Sequence, residues 1–150
     1  MATPRDNPYG AFNFIVTFDQ NPDADPVGGF SDVSGLGVEV SYSDYRNGNE
    51  AVNVVRKVPN SFKVDEITLK RGLVGTTLLF DWLKNVRNGQ YDPRTVVIKL
   101  LNEARDATVA SFKLTKAQPK KWVGPTLAAK GGGEVAMEEL HLVHEGIEYT

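Results

Sequence analysis

Apolar and polar positions alternate with a period of two through most of this chain, the spacing of half-buried β-strands. From Ala11 to Phe18, Phe12, Phe14, Val16 and Phe18 fall on one face and Ala11, Asn13, Ile15 and Thr17 on the other. After a Pro, Asp and Gly loop at Gln20 to Gly29, strands are predicted over Phe30 to Ser34 and Val38 to Tyr45. Between them stands Gly35-Leu36-Gly37, where glycine permits a bulge or a sharp corner. Ile67 to Arg71 is a short strand ending at Gly72. Arg94 to Leu101 and Ala107 to Leu114 flank the polar turn Asn102 to Asp106 as a hairpin. In the last strand region, Glu134 to Tyr149, the alternation changes phase at Glu138-Glu139: Val135 and Met137 share one parity, Leu140 and Leu142 the other. A one-residue β-bulge at that point accounts for the switch.

Helical spacing governs one segment, 76–88. Leu78, Leu79, Trp82, Leu83 and Val86 form its apolar stripe, Asp81, Lys84, Asn85 and Arg87 lie mostly opposite, and Gly89 suits the left-handed position past the last turn. Six to eight strands with one flanking helix, and no repeat or linker, predict a single mostly-β domain over residues 1–150. A small antiparallel barrel or two packed sheets fits that pattern. Lys130-Gly131-Gly132-Gly133 reads as a flexible loop.

The stretch from Asp44 to Ser61 follows neither period well. It carries Asp44, Arg46, Asn47, Glu50, Arg56 and Lys57, is only weakly apolar on either face, and has little intrinsic reason to fold onto a core. Asn47-Gly48 suits a tight hairpin turn. Long irregular stretches in compact domains are usually functional or disordered. This one is predicted to be an extended arm or hairpin, about 44–61, whose partner lies on another subunit.

Composition narrows the function classes. With 41% hydrophobic and 24% charged residues, the 150-residue chain belongs with globular rather than disordered sequences. A net charge of −2 argues against a general nucleic-acid binder, which needs clustered excess Lys and Arg. The absence of cysteine removes disulfide scaffolds, zinc knuckles and thiol nucleophiles together. Neither an apolar leader nor about 18 consecutive apolar residues occurs, so no signal peptide and no membrane insertion are expected.

Candidate chemistry is sparse. His141 and His144 stand in Leu140-His141-Leu142-Val143-His144-Glu145, which fits neither HExxH nor HxxEH. On a strand their odd separation sends them to opposite faces, so they read as surface or interface histidines. No GxxxxGK[ST] or GxSxG pattern occurs, which leaves Gly131 to Gly133 as a hinge or turn and Ser31, Ser34 and Ser61 without a nucleophile's setting. Glu134, Glu138 and Glu139 read as a solvated face rather than an acid–base pair. Lys113, Lys116, Lys120 and Lys121 with Trp122 make a short basic and aromatic stretch of the kind that binds single strands. On a net-acidic chain it reads as an inter-subunit or lumen surface. No enzymatic activity, cofactor or metal is expected.

Several short motifs occur in a telling order: Pro8-Tyr9 with Phe12-Asn13-Phe14, Phe30-Ser31-Asp32-Val33-Ser34-Gly35-Leu36, Tyr45-Arg46-Asn47-Gly48-Asn49, Arg56-Lys57-Val58-Pro59, Ile67-Thr68-Leu69-Lys70-Arg71-Gly72, Gly124-Pro125-Thr126-Leu127 and His144-Glu145-Gly146. Together they resemble the tail-tube family of contractile phages and phage-derived injection particles, over roughly Pro8 to Ile147. Val58, where leucine is frequent, and the glycine-rich 131–133 loop depart from the pattern. The resemblance implies a small barrel or packed-sheet fold with one helix, like the type VI secretion tube protein. It implies homohexameric rings stacked into a hollow tube, with a contractile sheath, baseplate and tail-terminator proteins, and luminal cargo or a tape-measure protein as partners. It also implies assembly in the bacterial cytoplasm and residence in a virion or released particle. An exported ring-forming carrier of effector cargo is the alternative. Under this resemblance, the arm carrying Asp44, Arg46, Asn47, Glu50, Arg56 and Lys57 is the ring-stacking contact.

Overall fold

The computed structural model describes residues 7–18, 29–49, 54–73, 75, 77–131 and 135–150. Among these, nine strands and one helix follow in chain order: β1 (Phe14–Thr17), β2 (Asp32–Ser34), β3 (Val38–Tyr45), β4 (Arg56–Val64), β5 (Ile67–Gly72), α1 (Leu78–Arg87), β6 (Arg94–Leu101), β7 (Thr108–Val123), β8 (Met137–Val143) and β9 (Gly146–Tyr149). All strand pairs are antiparallel. Seven strands form one sheet in the order β1-β6-β7-β8-β5-β2, with β9 also on β7. The remaining two, β3 and β4, pair only with each other.

The large sheet bends back on itself. Phe14 of β1 and Val33 of β2, from its two ends, line one cleft of about 520 Å³ together with Ile98, Leu100 and Phe112. The result is a barrel left open between β1 and β2. Its interior holds Val16, Ile67, Leu69, Val96, Ile98, Leu114, Ala117, Leu140 and Leu142. Each such aliphatic side chain contributes ~1.5–3 kcal/mol by leaving water, so this cluster dominates the stability of the domain.

Helix α1 closes one side with Leu79 and Trp82 fully buried. Phe18 meets the Trp82 ring at 5.2 Å and Phe80 meets Trp122 edge-on at 5.2 Å. The Trp82 indole N–H donates to the Asp92 carbonyl at 2.8 Å, so this large ring is buried without an unpaired donor. Gly89 ends the helix at φ +88°, as its place in the sequence predicts.

Strand β7 runs on past the hairpin predicted for 107–114, and two bulges explain why periodicity hid the rest. Between Leu114 and Ala117 the β6 partner advances two residues while β7 advances three, with Lys116 in the left-handed region at φ +49°. The second extra residue falls between Pro119 and Lys121 opposite β8. Each insertion flips parity, so the inward set reads Ala110, Phe112, Leu114, then Ala117 and Pro119, then Trp122.

The bulge predicted at Glu138-Glu139 is absent. Register between β5 and β8 is continuous from Ile67–Leu142 to Gly72–Met137. Glu138 itself points inward beside Leu140 and Leu142, buried against Arg71. A charged residue in a core position imitates a phase change. The same observation corrects Glu138 as part of a solvated face. At the other end of the pattern, Phe12 is exposed rather than core-facing.

Candidate functional site

The feature that no core interaction explains is the β3–β4 ribbon. Its strands begin at Val38 opposite Val64, further toward the body than 44–61. Direct pairs place Val38, Val40, Tyr42 and Asp44 on one face with Val64, Phe62, Pro59 and Lys57. A bulge opposite Ser41 makes that possible, because it brings Phe62 and Val64 into phase with Pro59. The bulge is tied by Ser41 Oγ to the Ser61 carbonyl at 3.0 Å, while Asn60 Nδ2 donates to Ser43 Oγ at 3.3 Å.

One face of the ribbon is therefore an apolar strip, and it is uncovered: Phe62 is 75% exposed and Tyr42 57%. The strip is carried by Val38, Val40, Tyr42, Phe62 and Val64, which flank the weakly apolar stretch 44–61 rather than belong to it. The opposite face carries Glu39, Ser43, Tyr45, Arg56 and Lys63, with Val58 among them. Contiguous exposed apolar surface is the feature that commonly marks interaction sites on proteins.

The residues singled out in the sequence fall at the outer end. Asp44 and Lys57 pair directly, with Nζ 2.5 Å from Oδ1, so these two charges satisfy one another within the subunit. Both are well exposed, and such a pair is worth ~0–1 kcal/mol. Arg46 and Arg56 are exposed beside them, and Asn47 accepts a hydrogen bond from the Tyr45 hydroxyl. Tyr45 pairs with Arg56, so ten residues separate the strands and Asn47-Gly48 does not form a two-residue hairpin turn. Glu50 lies outside the described residues, as do Gln20, Gly132, Gly133 and Glu134.

Two crossings join the ribbon to the body. One is the Gly35–Gly37 corner, where Gly35 has φ +92° and a Cβ would lie 1.9 Å from the Glu66 carbonyl oxygen. The other is the Asp65–Glu66 turn between β4 and β5. The Asp65 amide donates to the Gly37 carbonyl at 3.2 Å, and Lys120 at the second β7 bulge pairs with Glu66. Lys120's hydrogen bond holds the Glu66 carboxyl below its ordinary range. Sequence reasoning passed over these residues, because only the fold brings β7 to the turn.

The histidines sit apart in environment. His141 lies on the outer face, its Nδ1 3.2 Å from Thr68 Oγ1 and its Nε2 3.3 Å from Glu139 Oε2. His144 is buried where the chain breaks between β8 and β9. Among the described residues no group of three or more His, Asp or Glu side chains is placed to hold a metal ion. Nor is any described helix long and apolar enough to cross a membrane. Lys113, Lys116, Lys120 and Lys121 are exposed along β7, while Trp122 turns inward and donates to Glu138 Oε2 at 3.1 Å. That separates the ring from the lysines and removes the stacking surface considered for this stretch.

The described fold is mostly β with one helix, an open-ended sheet and an apolar ribbon left uncovered. The chain belongs to the family of the T4-like virus tail tube protein gp19, whose sequence pattern matches residues 10–148. No curated protein matches the chain. Solved structures do. A chain of the sheath–tube complex of the extracellular contractile injection system PVC, in its extended state, is 26% identical, with TM-score 0.82 over 95% of this chain and 91% of that one. A chain of the anti-feeding prophage baseplate is 25% identical, with TM-score 0.78 over 100% of this chain and 97% of that one. Hcp1 from Flavobacterium johnsoniae shares the fold, at 16% identity and TM-score 0.54 over 92% of this chain and 94% of that one. This chain is a tail-tube protein.

Proposed function

We propose that this chain builds the hollow inner tube of a contractile phage tail or phage-like injection particle, as homohexameric rings stacked through the β3–β4 ribbon. The uncovered apolar face of the ribbon carries this reading, with Tyr42 and Phe62 at its centre. Burying it against the next ring removes from water the aromatic surface that the monomer leaves exposed. Arg46 and Arg56, beside the self-contained Asp44–Lys57 pair, supply the charges that fix the register of one ring on the next, with Asn47 and Glu50 on the same connection. Within a ring, the sheet ends at β1 and β2 join neighbouring subunits, which disposes of two edges at once. A head-to-tail contact of this kind closes under cyclic symmetry.

The tube's partners are then a contractile sheath outside, baseplate and tail-terminator proteins at its ends, and cargo, DNA or a tape-measure protein within. Its role is structural and it catalyses no reaction. Assembly takes place in the bacterial cytoplasm, and the product is part of a virion or of a released particle. Of the two neighbours at 25–26% identity, one comes from the sheath–tube complex of a contractile injection system and the other from the anti-feeding prophage baseplate, whereas the likeness to Hcp1 is one of fold. That favours a tube within a sheath over an exported carrier of effector cargo.

The test replaces Tyr42 and Phe62 together by Ser and images the product. Folded subunits or single rings without stacked tubes are expected. Full-length tubes from the double variant would contradict the assigned contact.

A further inference from the structure

Both ring nitrogens of the buried His144 face backbone carbonyl oxygens. Nδ1 lies 3.0 Å from the Gly146 carbonyl oxygen and Nε2 lies 3.1 Å from that of Asp65. A carbonyl oxygen only accepts, so each contact needs an N–H on the ring. The neutral imidazole has one and the imidazolium has two. With a single proton, one nitrogen must turn its lone pair toward a carbonyl oxygen, a contact that the imidazolium makes as a hydrogen bond and the neutral ring cannot.

The location gives this chemistry a consequence. Gly146 opens β9, and Asp65 begins the turn where the chain leaves the ribbon and enters β5. His144 thus ties the break between β8 and β9 to the ribbon's root, alongside the Asp65–Gly37 bond that holds the two crossings together. Glu66 on the turn and Glu145, next to His144 in the chain, are each engaged by a lysine. Glu66 is held by Lys120 of β7, and Glu145 lies 3.8 Å from Lys116 of β7. The Asp65 carboxylate lies against Gly37. His141, on the outer face, bonds Thr68 and Glu139 instead.

We propose that His144 is a proton-operated clasp that fixes the angle of the ribbon on the body, closed when the imidazole carries both protons and slackened when it carries one. Its consequence for ring stacking rests on the function proposed for the ribbon: tubes form more readily in mildly acidic solution than in alkaline solution. The clasp itself stands independently of that function.

The experiment uses the full chain, kept dilute enough to stay unassembled, at about pH 5.5 and about pH 8, on either side of the histidine range. Nitrogen-15 NMR reads the protonation of the His144 ring. Hydrogen exchange reads the Asp65 amide, corrected for the intrinsic effect of pH. Where the NMR shows two protons on the ring, exchange at Asp65 should be slower by about tenfold than where it shows one, the factor that one net hydrogen bond is worth. The chain has two histidines, so His141→Gln should keep the response and His144→Gln should lose it. If His144→Gln does not fold, the NMR titration and the His141→Gln comparison decide. Protection at Asp65 that ignores pH, or a response that survives in His144→Gln, would overturn the clasp. Protection that follows His144 while tube yield ignores pH would uphold the clasp and count against the ribbon as the stacking contact.

Discussion

Arg71 and Glu138 face each other directly across β5 and β8, each side chain 2% exposed, with Nε donating to Oε1 at 2.5 Å. Glu138 spends its second oxygen on the Trp122 indole, and the Arg71 guanidinium lies 5.7 Å from the Phe30 ring centre. Two ions removed from water repay their desolvation only when matched, so this pair defines one register of β5 on β8 and penalises every slip. Arg71→Met alone should destabilise the subunit by about 3–5 kcal/mol, because it strands a buried carboxylate. Adding Glu138→Leu should restore most of the loss. Urea unfolding of the two variants checks both statements.

Gly35 is the tightest point at the ribbon's root. Gly35→Ala sets a Cβ against the Glu66 carbonyl oxygen in a left-handed backbone, and moving that oxygen displaces the turn itself. A loss of about 1–3 kcal/mol is expected, with the melting temperature lowered accordingly. An unchanged melting temperature would mean that the two crossings are not packed as described.

The Lys120–Glu66 pair should show itself in acid. Glu66 has its carboxyl lowered from its ordinary value of 4.5, so its contribution is complete above that value and is lost as pH falls through the lower folded one. The stability difference between the native chain and Glu66→Gln should therefore be constant near neutrality, shrink below pH 4.5, and weaken in high salt. Thermal melts across that range measure it.

Charge on the outer end of the ribbon should matter to assembly and not to folding. Arg46→Glu with Arg56→Glu is expected to change the subunit's stability by less than about 1 kcal/mol, because both positions are exposed. Stacked tubes should be lost or much shortened, as seen by electron microscopy. Full-length tubes would show that these arginines do not set the register between rings.

Much of this was legible in the sequence. The Phe14–Thr17 strand, the Leu79 and Trp82 stripe and Gly89 each obey a local rule, and the rule decides the structure there. What escaped were features made by pairing. Lys116 and the residue between Pro119 and Lys121 are extra residues in a ladder, and a ladder exists only once its partner is known. Glu138 broke the alternation because its partner, Arg71, lies 67 residues away. The ribbon's apolar face was likewise hidden: the bulge opposite Ser41 aligns Phe62 with Val40, and neither strand shows that alone. The polar outer end at Asp44–Lys57 was visible, while the stretch that carries the exposed aromatic surface begins nearer the body.

Imaging the native, purified chain at high concentration, alone and with the tail proteins that nucleate assembly, tests the tube-building role most directly. Hollow tubes of uniform diameter are expected, resolving into stacked six-fold rings with a β3–β4 ribbon reaching from each subunit onto the next ring. A subunit that stays monomeric under both conditions would contradict it.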